Sequence, residues 1–86
     1  MILNERKINM KEEIKKIIKE NVEELNNVEI TDDLQLITSG YIDSFDIITI
    51  IGIFEDKFDV VIDLDNVELE EFNTVSSICH IIENAK

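Results

Sequence analysis

The chain has 86 residues, 44% of them apolar, with no proline, two glycines and a formal net charge of −12. That length holds one domain with a modest core, and the composition excludes a disordered or low-complexity chain. The acidity speaks against binding nucleic acid or anionic membranes, which need clustered Lys and Arg, and no apolar run reaches the ~18–20 residues of a membrane span.

The charge is unevenly placed. Arg6, Lys7, Lys11, Lys15, Lys16 and Lys19 all precede Glu20, and from Glu20 onward seventeen acids face only Lys57 and Lys86. An acidic surface of this kind attracts basic protein partners and speeds their encounter. Residues 1–9 have none of the order of a secretory signal, a basic segment followed by an apolar one. Cys79 has no second cysteine to pair with, which fits a reducing compartment. The expectation is a cytoplasmic protein.

Residues 1–9 read as a disordered N-terminal extension and residues 10–86 as the folded domain, because Met10-Lys11-Glu12-Glu13-Ile14 has the look of a natural start. If the extension is ordered, Asn9 with Glu12 can cap the first helix. That helix is predicted from Lys11 to Leu25. Ile14, Ile17, Ile18, Val22 and Leu25 form its apolar stripe, and Glu12 and Lys16 form an i, i+4 pair on its solvated side.

Residues 26–43 make a long connection, pinned to the core by Val28, Ile30, Leu34, Leu36 and Ile37, with a helical turn expected at Thr31-Asp32-Asp33. Gly40 permits a tight bend with positive φ. Asp43 and Ser44 both suit a helix start, since their side-chain oxygens accept backbone N–H groups of the first turn. The second helix then runs from about Ser44 to Phe58. Ile47, Ile50, Ile51, Phe54 and Phe58 occupy one buried face at i, i+3, i+4, i+7, i+11 spacing. Phe45, Ile48 and Gly52 fall on another side. Gly52 costs ~1 kcal/mol relative to Ala within a helix, so a close approach to its backbone is expected.

Val60-Val61-Ile62 is a short extended run. Asp63-Leu64-Asp65-Asn66 resembles the opening of a calcium loop but lacks the next polar ligand and the glycine, and is rejected as one. Val67, Leu69 and Phe72 anchor a short third helix over Val67–Phe72. Thr74 caps a fourth from Val75 to about Asn84, whose inner face is Val75, Ile78, Cys79 and Ile82. The fold class is all-α.

Catalysis by the chain itself lacks its parts. The only histidine is His80, and no Lys, Arg or His lies between Asn21 and Asp56. Ser44 therefore has no evident base, and a serine hydroxyl without one is a poor nucleophile. The adjacent acids Glu70–Glu71 and Asp32–Asp33 are not a paired-carboxylate site, and no cluster of mixed ligands suggests a metal. Ser44 is instead suited to modification by another protein. A helix N-terminus favours a bound phosphate, although Asp43 and Asp46 oppose that charge and need another reason, such as capping or contact with a basic partner.

Gly40-Tyr41-Ile42-Asp43-Ser44-Phe45, the apolar helix after it with its Glu55-Asp56-Lys57-Phe58 ending, and the closing Phe72-Asn73-Thr74-Val75-Ser76-Ser77-Ile78 transition resemble an acyl carrier protein. The resemblance covers nearly everything from Met10 to Lys86. It implies a four-helix bundle of three main helices and a short third one, with a long loop after the first. It also implies 4′-phosphopantetheine attached to Ser44, delivered from coenzyme A by a phosphopantetheinyl transferase, whose terminal thiol carries acyl or aminoacyl groups as thioesters. Phe45 in place of the commoner Leu or Met, and a glycine three residues ahead of Asp43, are more similar to D-alanyl and other stand-alone aminoacyl carriers. Thr49 stands where the fatty-acid type usually has Glu.

By this reading the protein is a monomeric carrier and not an enzyme. Phe45 and Ile48 form an apolar spot ringed by Asp43, Asp46 and Asp56, a docking patch for the transferase, for an acyl- or aminoacyl-activating ligase and for acyl transferases with basic surfaces. The pathways in view are lipid, polyketide or nonribosomal peptide, and cell-envelope synthesis, including teichoic acid D-alanylation. The competing readings are a cofactor-free acidic interaction module and a small serine hydrolase.

Overall fold

The computed structural model describes residues 10–85, so the expected extension and Asn9 cap lie outside the described residues. Helix α1 spans Met10–Asn21 and buries Ile14, Ile17 and Ile18. It stops short of the predicted Leu25. Val22 takes an extended conformation (φ −125°, ψ 105°), and Glu23–Leu25 follows as a separate 3-10 turn. Two local causes end the helix. Val is β-branched and suits extended backbone, and Asn21 Nδ2 donates to the Ile17 carbonyl at 2.7 Å, satisfying an acceptor of the last turn. Val22 and Leu25 are nevertheless buried, so the whole predicted stripe reaches the core through a change of helix type.

Helix α2 spans Ser44–Phe58 and α3 spans Val75–Ala85. Between them, a second 3-10 turn at Leu69–Phe72 replaces the predicted short helix. Its length is limited on both sides. Glu68 N–H donates to Glu71 Oε2 at 3.1 Å, which starts the turn, and Thr74 Oγ1 accepts from Ser77 N–H at 3.2 Å to cap α3 as expected. Only one turn fits between these two caps. The described residues contain three α-helices, two 3-10 turns and no strand.

Helix α1 packs on α2 and α3, and the second 3-10 turn closes against α2 and α3. Their shared core is almost wholly aliphatic, with Phe54 and Phe72 its largest members, both without exposed surface. Burying such a side chain contributes roughly 1.5–3 kcal/mol relative to leaving it in water. Ile81 joins the predicted inner face of α3, and Cys79 is buried there as a small hydrophobe. Val60 and Ile62 point inward with Val61 80% exposed between them, the alternation of an extended segment.

No helix or strand occurs between Leu25 and Ser44. Thr31–Leu34 makes a single turn, with Leu34 N–H donating to the Thr31 carbonyl at 3.3 Å, and not the start of a helix. Asp32 ties this turn to α1 and α3. Lys15 and Lys11 reach its carboxylate at 2.9 and 3.4 Å, and its carbonyl accepts from Ser76 N–H at 3.2 Å. The hydrogen bond from Lys15 holds the Asp32 carboxyl below its ordinary pKa and raises that of Lys15 in turn. Lys15 also takes Glu12, at 3.5 Å, in place of the expected Glu12–Lys16 pair.

Candidate functional site

The start of α2 is built by a reciprocal cap. Asp43 Oδ1 accepts from Asp46 N–H at 2.9 Å, and Asp46 Oδ2 accepts from Asp43 N–H at 3.4 Å. Asp43 is therefore the N-cap and Ser44 the first helical residue. This supplies the reason for two acids beside the serine, since each carboxylate satisfies a backbone donor at the positive end of the helix. Gly40, at φ 85°, makes the bend upstream, a conformation that side-chain-bearing residues rarely adopt.

Ser44 is exposed. Its hydroxyl has no hydrogen-bond partner among the described residues. It lies at the edge of a cleft of about 720 Å³ between α2 and the segment leading into the second 3-10 turn. The cleft's apolar lining is Ile37, Ile47, Ile48, Leu64, Val67 and Leu69. Its remaining lining residues are the carboxylates Asp65, Glu68 and Glu70, and Ser44 is the single hydroxyl-bearing residue. Among the described residues no Lys, Arg or His lines it, so the serine has no imidazole or amine base in the cleft.

The outward face of α2 repeats the geometry of its buried face. Ile47, Ile50, Ile51 and Phe54 are buried, with Phe58 half-buried at their end. Phe45, Ile48, Thr49, Gly52 and Asp56 are spaced in the same i, i+3, i+4, i+7, i+11 pattern and are all exposed. Phe45 is 80% and Ile48 53% exposed, so the preceding loop does not cover them. The predicted acidic ring is divided. Asp43 and Asp46 sit at one end of this stripe, while Asp56 lies about 15 Å further along the axis at 1.5 Å per residue.

The expected close approach at Gly52 is absent. A Cβ built there meets nothing within 4 Å, because Gly52 faces solvent and not the core. Its helix cost is thus not offset by packing within this chain. Gly52→Ala is expected to stabilise the fold by up to ~1 kcal/mol, read as a rise in the urea midpoint at unchanged m-value.

Asn73 is a residue that periodicity passes over. It belongs to no helix stripe, yet it accepts backbone N–H groups from the loop that leads to Ser44. The only trace in sequence is an amide side chain just before the Thr74 cap. A second such residue is Glu55, whose Oε2 accepts from Ile62 N–H at 2.8 Å and holds the extended segment against the end of α2.

Against known proteins, the family described as the phosphopantetheine attachment site matches residues 12–82. The chain belongs to that family. No curated protein and no solved structure gives a significant match. The family carries covalent 4′-phosphopantetheine and marks a carrier protein, one that works with a phosphopantetheinyl transferase and acyl-handling enzymes, in place of a catalytic enzyme. The site fits such a group. An exposed, unengaged hydroxyl stands at a largely apolar cleft whose lining holds no histidine, lysine or cysteine. No helix among the described residues is long and apolar enough to cross a membrane.

Proposed function

We propose that Ser44 bears the phosphopantetheine arm and that the domain, residues 10–86, is a cytoplasmic carrier delivering thioester-bound cargo between partner enzymes. The observation that carries this is the single unengaged hydroxyl at the first position of α2, open to solvent beside an apolar cleft. The chain's own part is presentation. Asp43 and Asp46 cap the helix so that Ser44 is held on its first turn, and the base that removes the serine proton is assigned to the transferase, since the cleft offers no histidine or lysine. When bound, the arm supplies a thiol for thioester chemistry. The Val67–Phe72 segment is read as the counterpart of the short third helix in a four-helix carrier bundle.

The exposed stripe of α2 is read as the docking surface. Phe45 and Ile48 form its apolar centre, Asp43, Asp46 and Asp56 flank it, and the open backbone at Gly52 leaves room for a partner side chain. Cargo is an acyl or aminoacyl group. Carboxylates lining the cleft, with no cation among its lining residues, suit a cargo bearing an ammonium group, which supports the aminoacyl reading; the D-alanyl carrier is the alternative to which Phe45 and the Gly40 spacing point. Intact-mass analysis after incubation with coenzyme A and a broad-specificity transferase tests the attachment. Mass gain mapped to Ser44 supports it, and folded protein unchanged in mass removes it. Ile48→Glu is expected to slow loading by at least about tenfold while unfolding stays cooperative, since a charge at the centre of an apolar patch disrupts docking and not the core. Equal loading rates for variant and parent would count against the docking surface.

A further inference from the structure

Asn73 joins the second 3-10 turn to α3, and its hydrogen bonds reach across to one distant corner of the chain. Its Oδ1 accepts from Ile37 N–H at 2.7 Å and from Thr38 N–H at 3.1 Å. Its Nδ2 donates to Thr38 Oγ1 at 3.3 Å, and its carbonyl accepts from Leu36 N–H at 2.7 Å. Leu36, without exposed surface, then accepts from Tyr41 and Ile42 N–H at 3.1 and 3.0 Å on its own carbonyl. The next residue, Asp43, is the cap of α2. A continuous set of bonds thus runs from Asn73 to Ile42, two residues before Ser44. Ile37, held directly by Asn73, also lines the cleft that Ser44 borders.

A loop without helix or strand has few means of holding one conformation, and each of its buried or half-buried backbone donors needs a partner. Here one amide side chain satisfies two consecutive donors at the corner from which α2 departs. We infer that Asn73 is a positioning residue for the modification of Ser44, holding the Leu36–Thr38 corner so that the serine and the Ile37 wall of the cleft keep their relation. The inference rests on Ser44 being the attachment residue. Transfer to a hydroxyl is sensitive to placement, and a displacement of about 1 Å can cost on the order of 100-fold in rate.

The test compares wild type, Asn73→Ala and Asn73→Asp in steady-state loading with coenzyme A and a broad-specificity phosphopantetheinyl transferase, read by intact mass beside amide hydrogen exchange. Asn73→Ala should lower kcat/KM at least about tenfold, with faster exchange at Ile37 and Thr38 and wild-type protection at Ile17 and Phe54. Asn73→Asp retains acceptors for both backbone donors and should load within about threefold of wild type. Wild-type loading of Asn73→Ala would overturn the inference. So would an Asp variant as slow as the Ala variant, or core protection lost in step with loading. A wild-type protein that gains no arm, or gains it elsewhere, overturns the reading of Ser44 and this inference with it, and that result is visible before any variant is compared.

Discussion

Ser44→Ala is expected to abolish the mass gain on incubation with coenzyme A and a transferase, and to leave the protein as stable as its parent. The second half of this expectation follows from the cap. Had Ser44 been the N-cap, its loss would cost ~0.5–2 kcal/mol. The N-cap is Asp43, which accepts from Asp46 N–H, and an exposed first-turn position tolerates Ala within about 0.5 kcal/mol. Asp43→Ala, in contrast, removes one side of the reciprocal cap and should cost the ~0.5–2 kcal/mol that Ser44→Ala does not. Intact mass and a urea melt on the same samples separate the two effects. Undiminished loading of the Ala variant would mean that the arm is attached elsewhere.

Phe54→Ala is expected to remove most of the stability of the domain. Phe54 has no exposed surface, sits on the face of α2 opposite the exposed stripe, and packs against Phe58 with ring centroids 6.2 Å apart. Deleting a fully buried phenylalanine costs about 3–5 kcal/mol, as lost transfer energy plus the cavity left behind. Small domains hold only about 5–15 kcal/mol in total. With one small core, the surrounding isoleucines, stiff at χ1, have limited freedom to collapse into the gap. The urea midpoint should fall sharply at unchanged m-value, and a shift worth under about 1 kcal/mol would show that the site repacks. Because α2 carries Ser44 at its start, loading of this variant should fail in proportion to the unfolded fraction, unlike that of Ile48→Glu.

The stripes of α1, α2 and α3 were legible because burial on one side of a helix imposes a 3.6-residue period on the apolar residues, whatever lies opposite. The cap at Thr74 and the bend at Gly40 were legible for a similar reason, as both are decided within a few residues. The end of α1 was less so. Val22 and Leu25 keep the stripe in register, so nothing in the pattern marks the change from α-helix to 3-10 turn. The role of the acids around Ser44 was open in sequence, where Asp43 and Asp46 are equally consistent with capping and with contact to a partner.

Sequence alone determined that the chain is helical, which residues of each helix face inward, and that Ser44 stands at a helix start with no base nearby. These are local properties, set by spacing and by composition. Only the tertiary structure decided that Gly52 faces open solvent, that Phe45 and Ile48 stay uncovered, that a cleft opens beside Ser44, and that Asn73 holds the corner before it. The Asn73 corner joins residues 35 and 36 positions apart, the others depend on which segments come to lie beside α2, and no local period or propensity records such a meeting.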